Sequence, residues 1–133
     1  MLPITVVPSL PATSLREIKK LCTSLQGIAR EIQIDIVDGQ FVPHTSWPFT
    51  KRNPMKAFQK MKKYTDNFLL EVDCMVQEPE QYLDDILLLQ PKRVCIHVGS
   101  TTAYDEIIAH SHTHGYTLGL AFTNDRAIDV LDT

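Results

Sequence analysis

A carboxylate at the end of an alternating apolar segment is the feature of this chain best suited to chemistry. Residues 32–37 alternate isoleucine with Gln33, Asp35 and Val37, which is the period-two pattern of a β-strand. Asp35 is therefore expected on rigid backbone, on the face opposite the isoleucines. An ionised carboxylate facing a crevice or barrel interior is costly unless it is paired or bound to metal, which favours a catalytic role for Asp35. The alternative is a solvated strand-end residue hydrogen-bonded to backbone.

A run of histidines near the end of the chain could also bind metal. His110, His112 and His114 form an H-x-H-x-H pattern, and His110 and His114 are four residues apart, as helical metal ligands can be. We prefer the interpretation of an exposed helix end that Gly115 terminates. The metal-binding interpretation stays open.

The composition is that of one soluble globular domain or part of a larger one. The chain has 133 residues, 44% of them hydrophobic and 22% charged, with a net charge of -3. Its basic residues are mostly dispersed, so neither nucleic acid nor a membrane is expected as a partner. Cys22, Cys74 and Cys95 lie among apolar residues without C-x-x-C spacing, which predicts reduced core cysteines in a cytoplasmic protein. No segment is expected to act as a signal peptide or membrane span.

Strands and helices are predicted to alternate along the whole chain. Strands are predicted at residues 4–7, 32–37, 68–76, 93–98 and 117–122. Helices are predicted to begin at a capping box of Ser14 and Glu17, at 53–54, at 78–80, at Thr101 or Thr102, and at 125, the last reaching 131. This pattern implies parallel strands in a doubly wound sheet or a barrel. Eight units of about 28 residues would suit a (β/α)8 barrel.

Five short motifs occur along the chain in a characteristic order. They are P-S-L at 8–10, D-I-V-D-G-Q-F-V-P at 35–43, M-V-Q-E-P-E at 75–80, I-H-V at 96–98 and G-L-A at 119–121. Over essentially the whole chain, their order and spacing resemble the ribulose-phosphate 3-epimerase family. The resemblance implies an α/β fold, a (β/α)8 TIM barrel of the ribulose-phosphate-binding type. Residues 1–133 would form a single partial TIM-barrel domain of about five βα units.

The resemblance also implies an isomerase. Such an enzyme epimerises C3 of a ketose phosphate, D-ribulose 5-phosphate to D-xylulose 5-phosphate, through an enediolate by acid/base proton transfer. Asp35 matches an aspartate that binds a divalent metal and exchanges the C3 proton, and Ser9 matches a contact to the sugar. Met75 and His97 are further candidate substrate contacts. The alternatives are core filling for Met75 and orientation of Asp73 for His97.

This chain departs from the family at the metal ligands. Two metal-binding histidine positions of the family fall on Gln33 and Asp73. By alternation these residues share the face of Asp35, with Glu71 one step deeper, and such oxygen ligands suit Mg²⁺ or Mn²⁺ better than Zn²⁺. We predict a divalent cation (Mg, Mn, Fe or Zn) held by Asp35, Asp73 and Gln33, and no organic cofactor. The alternatives are that Asp73 pairs with a donor such as His97, or that the metal has been lost.

The second catalytic aspartate and the phosphate-binding loops of the family correspond to positions beyond Thr133. The 133-residue chain alone is therefore expected to be an inactive fragment. The predicted partner is a small sugar-phosphate substrate, and a homo-oligomer is left open. The alternative functions are a catalytically inactive or divergent sugar-phosphate-binding relative, or a barrel that uses Asp35 for decarboxylation or aldol chemistry. Residues 44–49 are expected either to cover the sugar or to form a packed surface loop.

Overall fold

The described residues form a five-stranded parallel sheet, whose strand order follows the chain, together with helices that alternate with the strands. The computed structural model describes residues 4–51 and 54–123. The strands are β1 Ser9–Leu10, β2 Glu31–Val37, β3 Leu69–Met75, β4 Arg93–His97 and β5 Thr117–Ala121. The helices are α1 Leu15–Leu25, α2 Met55–Thr65, α3 Leu83–Leu87, which follows a 3-10 turn at Pro79–Tyr82, and α4 Tyr104–His114. This alternation confirms the predicted α/β fold and is consistent with a partial TIM barrel.

The first strand lies later in the chain than predicted. Ile4 and Val6 are 89% and 79% exposed, and residues 4–7 form no strand. Pairing with β2 begins instead at the carbonyl of Pro8, which accepts a hydrogen bond from the Gln33 amide at 2.8 Å, and continues through Ser9. The prediction was wrong because β-branched residues favour a strand only where a neighbouring strand can pair with them. The helix predicted at 125–131 lies outside the described residues.

Helix α1 begins at the predicted capping box. The Ser14 hydroxyl accepts a hydrogen bond from the Glu17 amide at 3.2 Å. The Glu17 carboxylate in turn accepts from the amide of Thr13 at 2.7 Å and from its hydroxyl at 3.0 Å. These bonds, led by the Thr13 amide, hold the pKa of Glu17 below its usual value. Ile18 and Cys22 on the inner side of the helix are buried, so this cap positions a core-facing helix.

The start of α4 differs from its prediction, whereas its end agrees. The N-cap position is Ala103 rather than a threonine. Thr101 lies two residues earlier; its hydroxyl accepts from the Ala103 amide at 2.9 Å and donates to Glu80 at 2.8 Å. The hydroxyl therefore ties the β4–α4 loop to the preceding unit instead of capping the helix. Gly115 ends the helix in the left-handed conformation, as predicted.

The sheet has two chemically different faces. On one face Ile32, Ile34 and Ile36 are 0–1% exposed, and this face packs against the helices. Buried helix side chains complete this core: Ile18, Phe58, Met61, Ile86 and Ile107. Each large apolar side chain buried there contributes about 1.5–3 kcal/mol relative to its exposure. The opposite face, called the polar face below, carries Ser9, Gln33, Asp35, Glu71, Asp73, Met75, Arg93, Cys95 and His97.

Candidate active site

The register of the sheet brings the two predicted carboxylates together on the polar face. Asp35 of β2 pairs with Asp73 of β3, which pairs with Cys95 of β4. Residues in register on neighbouring parallel strands point to the same side and are about 4.8 Å apart. In (β/α)8 barrels, the active site lies at the carboxyl ends of the parallel strands. Asp35 and Asp73 are two residues from the ends of their strands, so they lie just below that rim.

Asp35 accepts a hydrogen bond at each carboxylate oxygen. The Ser9 hydroxyl donates to Oδ2 at 2.6 Å, and Nε2 of Gln33 donates to Oδ1 at 2.8 Å. Hydrogen bonds to an ionised acceptor are among the strongest in proteins, and two of them fix the orientation of the carboxylate. Gln33 turns its amide nitrogen, not its oxygen, toward Asp35. Its assignment as a metal ligand stays a prediction.

Asp73 is paired with His97 of the next strand. Nε2 of His97 lies 2.9 Å from Oδ1 of Asp73, and the two side chains are only 16% and 19% exposed. This contact confirms the pairing that the sequence predicted as the alternative role of Asp73. The ring of Phe41, from the loop after β2, packs on the imidazole with a centroid distance of 5.4 Å. His97 is therefore held by a carboxylate on one side and by an aromatic ring on another.

Asp38 is a residue whose role sequence reasoning missed. Its Oδ1 accepts from the amides of Gln40 at 2.8 Å and Phe41 at 3.1 Å, which closes the turn after β2. Its Oδ2 accepts from the Gln77 amide at 2.8 Å, so the same side chain joins the loops after β2 and β3. The Asp-Gly pair at 38–39, where Gly39 has a φ of 80°, signals such a turn in the sequence. No sequence pattern near Asp38 or Gln77 predicts the hydrogen bond between them, since the two residues are 39 apart in the chain.

In the loop at residues 44–49, residues 46–49 are packed into the protein, whereas His44 and Thr45 are exposed. Ser46 is buried, and its hydroxyl donates to the Asp35 carbonyl at 2.6 Å and accepts from the Val37 amide at 2.9 Å. Trp47 is a member of the hydrophobic core, and its amide donates to the Ala12 carbonyl at 2.8 Å. Of the two predicted alternatives, the described structure corresponds to the packed loop. Through the hydroxyl of Ser46, the loop is hydrogen-bonded to the backbone of Asp35.

An ion pair between Arg93 and Glu71 lies one step deeper on the polar face. Nη1 of Arg93 contacts Oε2 of Glu71 at 2.6 Å. Burial, reinforced by the negative charges of Glu71 and Asp73, raises the pKa of the neighbouring Cys95 thiol to about 11. Cys95 therefore stays protonated at neutral pH and is not a nucleophile there. Met75, two residues beyond Asp73, is half-buried on the same face, and its substrate contact stays a prediction.

The polar face suits a hard divalent cation better than a soft one. Asp35 and Asp73 supply carboxylate oxygens from adjacent strands, and Gln33 lies two residues before Asp35 on the same face. Mg²⁺ commonly binds through one or two carboxylates and retains several waters, so this pair fits such an ion. Elsewhere in the described part of the chain, Asp84, His110 and His114 form a three-residue group with metal-ligand geometry.

Comparison with known proteins agrees with this architecture. A sequence model described as the ribulose-phosphate 3 epimerase family matches residues 5–133. The ribulose-phosphate 3-epimerase of Schizosaccharomyces pombe is 26% identical over 133 residues, covering 98% of this chain and 56% of that protein. The epimerase of Chlamydia pneumoniae is 29% identical over 100 residues, which cover 75% of this chain and 41% of that protein. The epimerase of Chlamydia trachomatis is 24% identical over 127 residues, which cover 95% of this chain and 52% of that protein. The chain thus spans about half the length of these curated relatives.

Proposed function

The chain belongs to the ribulose-phosphate 3-epimerase family, and on this premise we propose that its polar face exchanges the C3 proton of a ketose phosphate. The proposed reaction is interconversion of D-ribulose 5-phosphate and D-xylulose 5-phosphate, in which this chain supplies one of two proton-transfer groups. The observation that supports this proposal is the orientation of the Asp35 carboxylate. This carboxylate is oriented by hydrogen bonds at both oxygens, near the rim where barrels of this class bind substrate.

The proposed chemistry begins with Asp35 as a general base. It takes the proton from C3, and the electron pair of the C–H bond moves toward the neighbouring carbonyl to form an enediolate. Return of a proton to the same side restores the substrate, whereas return from the opposite side inverts C3 and requires a second acid/base group. When bound, a divalent cation held by Asp35 and Asp73 supplies positive charge beside the enediolate oxygen.

The remaining residues of the polar face are assigned supporting roles. Ser9 is exposed at its strand end, so its hydroxyl can contact a sugar as well as Asp35. His97 is oriented by Asp73 and Phe41, with its ring near the ends of the strands. Met75 presents an apolar side chain beside them, which suits exclusion of water from an enediolate. These three residues are proposed substrate contacts.

Proton exchange in D₂O tests this function directly. Because exchange at C3 needs only one base, the protein should incorporate deuterium at C3 of D-ribulose 5-phosphate, which ¹H NMR would detect. Asp35→Asn should abolish incorporation. Asp66→Asn is the matched control, because Asp66 is an exposed carboxylate that pairs with Lys62 near the amino end of β3. Equal incorporation by the Asp35→Asn and unchanged proteins would overturn the role of Asp35.

A non-catalytic relative that binds sugar phosphates is the second candidate function. It is favoured by the presence of Gln33 and Asp73 at the family's imidazole positions, and by the pairing of Asp73 with His97. This alternative predicts binding of ribulose 5-phosphate, detectable by calorimetry, without any C3 exchange. The two candidates therefore separate in the D₂O experiment once binding has been measured.

The proposed location is the cytoplasm. Cys22, Cys74 and Cys95 form no disulfide, as is usual for proteins of reducing compartments. Among the described helices, none has the length and hydropathy to cross a membrane.

A further inference from the structure

A compact group of metal-ligating side chains lies between helices α3 and α4. Nε2 of His110 is 3.2 Å from Oδ1 of Asp84, and the rings of His110 and His114 are 4.4 Å apart between centroids. One ligand atom from each of Asp84, His110 and His114 lies within 4.8 Å of the other two. The two histidines come from successive turns of α4, and the aspartate comes from α3.

This group is separate from the candidate active site. His110 also contacts the hydroxyl of Tyr116, which immediately precedes β5 and therefore lies at the amino ends of the strands. Asp35 and Asp73 approach the opposite, carboxyl ends of the strands. A ligand at the α3–α4 group would thus be bound on the outer helical layer, away from the polar face of the sheet.

Tyr116 orients the ring of His110 for such a ligand. Its hydroxyl is 3.1 Å from Nδ1 of His110, and Tyr116 is buried at 7% exposure, so this contact holds the imidazole from the protein interior. With Nδ1 engaged by Tyr116, Nε2 is the ring nitrogen that faces the Asp84 carboxylate, 3.2 Å from Oδ1. Metal-ligating histidines commonly hydrogen-bond through their other ring nitrogen, which fixes the orientation of the ring.

We propose that Asp84, His110 and His114 bind a divalent transition-metal ion, with Zn²⁺ as the representative cation, and that the ion links α3 to α4. Two imidazole nitrogens and a carboxylate oxygen are a common zinc ligand set. Tetrahedral bonds of 2.0–2.1 Å place donor atoms about 3.3 Å apart, close to the existing spacing of His110 and Asp84. His114 is exposed and Asp84 is 91% exposed, so both side chains can rotate to complete the site, with water as the fourth ligand.

Zinc titration of the untagged full chain by calorimetry tests the site. We expect zinc to bind at this group, and Asp84→Asn or His114→Ala to weaken that affinity by about tenfold or more. His112→Ala is the matched control, because His112 is exposed on the same helix but does not belong to the group. Its affinity should equal that of the unchanged protein. Asp66→Asn, which alters an exposed carboxylate outside both groups, should also leave zinc affinity unchanged.

A second variant tests the orienting contact. Tyr116→Phe keeps the ring and removes the hydroxyl, and it should weaken zinc binding by about tenfold through the loss of the Nδ1 partner. Zinc should also raise the melting temperature of the unchanged protein but not that of Asp84→Asn, which alters an exposed side chain and should fold normally. No zinc binding by the unchanged protein, or equal losses in His112→Ala and His114→Ala, would overturn the proposal.

Discussion

The Ser9 hydroxyl donates a 2.6 Å hydrogen bond to Oδ2 of Asp35 across the β1–β2 pair. The sequence predicted Ser9 as a contact to the sugar, whereas this geometry also makes it a partner of the proposed base. Because Gln33 occupies the other oxygen, the carboxylate is oriented from two sides. Ser9 can therefore affect proton transfer without touching the reacting carbon.

Ser9→Ala should slow C3 exchange at saturating substrate by about tenfold or more, because hydrogen bonds to charged groups contribute about 1.5–3 kcal/mol. If Ser9 mainly positions Asp35, kcat falls and KM changes little. The measurement is the rate of deuterium incorporation as a function of substrate concentration. Ser24→Ala, on the exposed side of α1, is the control and should match the unchanged protein. A rise in KM alone would contradict positioning and support a purely substrate-binding role.

The Asp73–His97 contact should be measurable as a coupling free energy. Replacing His97 by alanine leaves the mostly buried Asp73 carboxylate without this partner, which should lower the free energy of unfolding by about 1–3 kcal/mol. Adding Asp73→Ala should recover part of that loss. Urea unfolding of both single variants and the double variant gives the coupling, expected to be about 1 kcal/mol or more. Strictly additive losses would show that the contact contributes no net stability.

Ser14→Ala should lower the free energy of unfolding by about 1 kcal/mol, because it removes the N-cap acceptor of α1. The control is Thr23→Ala on the same helix. Thr23 is exposed, and its hydroxyl donates to the Lys19 carbonyl within the same helix, so its replacement should have little effect. Both variants can be compared by their urea midpoints. Equal losses would attribute the effect to general helix perturbation instead of capping.

The raised pKa of Cys95 predicts a slow reaction with iodoacetamide at about pH 8, since the thiolate is the reactive form. Its alkylation should accelerate as the pH rises toward about 11. Glu71→Gln removes a negative charge that raises this pKa, so the variant should react faster at the same pH. Peptide mass spectrometry measures modification of each cysteine, and buried Cys22 and Cys74 are internal references. Reaction at the rate of an unstructured cysteine would contradict the protonated thiol.

The same pKa shift has a consequence for stability. Between pH 9.0 and about 11, a thiol with a folded pKa of about 11 and an ordinary pKa of 9.0 stays protonated in the folded chain while it ionises in the unfolded chain. Its contribution is fully present below pH 9.0 and is lost as the pH rises toward about 11. Unfolding midpoints measured across this interval should therefore decrease, and less so in Cys95→Ala.

Gly119 should tolerate a side chain only when Cys95 is shortened. A Cβ built at Gly119 would lie 2.7 Å from Sγ of Cys95 on the neighbouring strand, closer than such contacts occur. Gly119→Ala should therefore destabilise the fold by about 1–3 kcal/mol. In a Cys95→Ala background the loss should largely disappear, and unfolding of the four proteins would measure this. A loss that persists in that background would place the strain in the backbone.

Local sequence patterns were sufficient to predict many of the strands and helices. The alternation around Asp35, the capping box at Ser14 and the stop at Gly115 each depend on residues close together in the chain, so they predict β2, α1 and the end of α4. The order of the short motifs also predicted the family. Strand propensity alone gave a wrong prediction at residues 4–7, where the β-branched residues pair with no strand among the described residues.

Contacts between distant residues could not be read from these patterns. Ser9 and Asp35 are 26 residues apart, Asp73 and His97 are 24 apart, and Asp38 reaches Gln77 across 39. Alternation predicts which face a side chain occupies, but hydrogen-bond partners also depend on strand register, loop closure and rotamers. These are settled when the helices pack on the sheet and bury its isoleucine face. The folded structure therefore decided which donors hold Asp35, and that Asp84 of α3 meets His110 and His114 of α4.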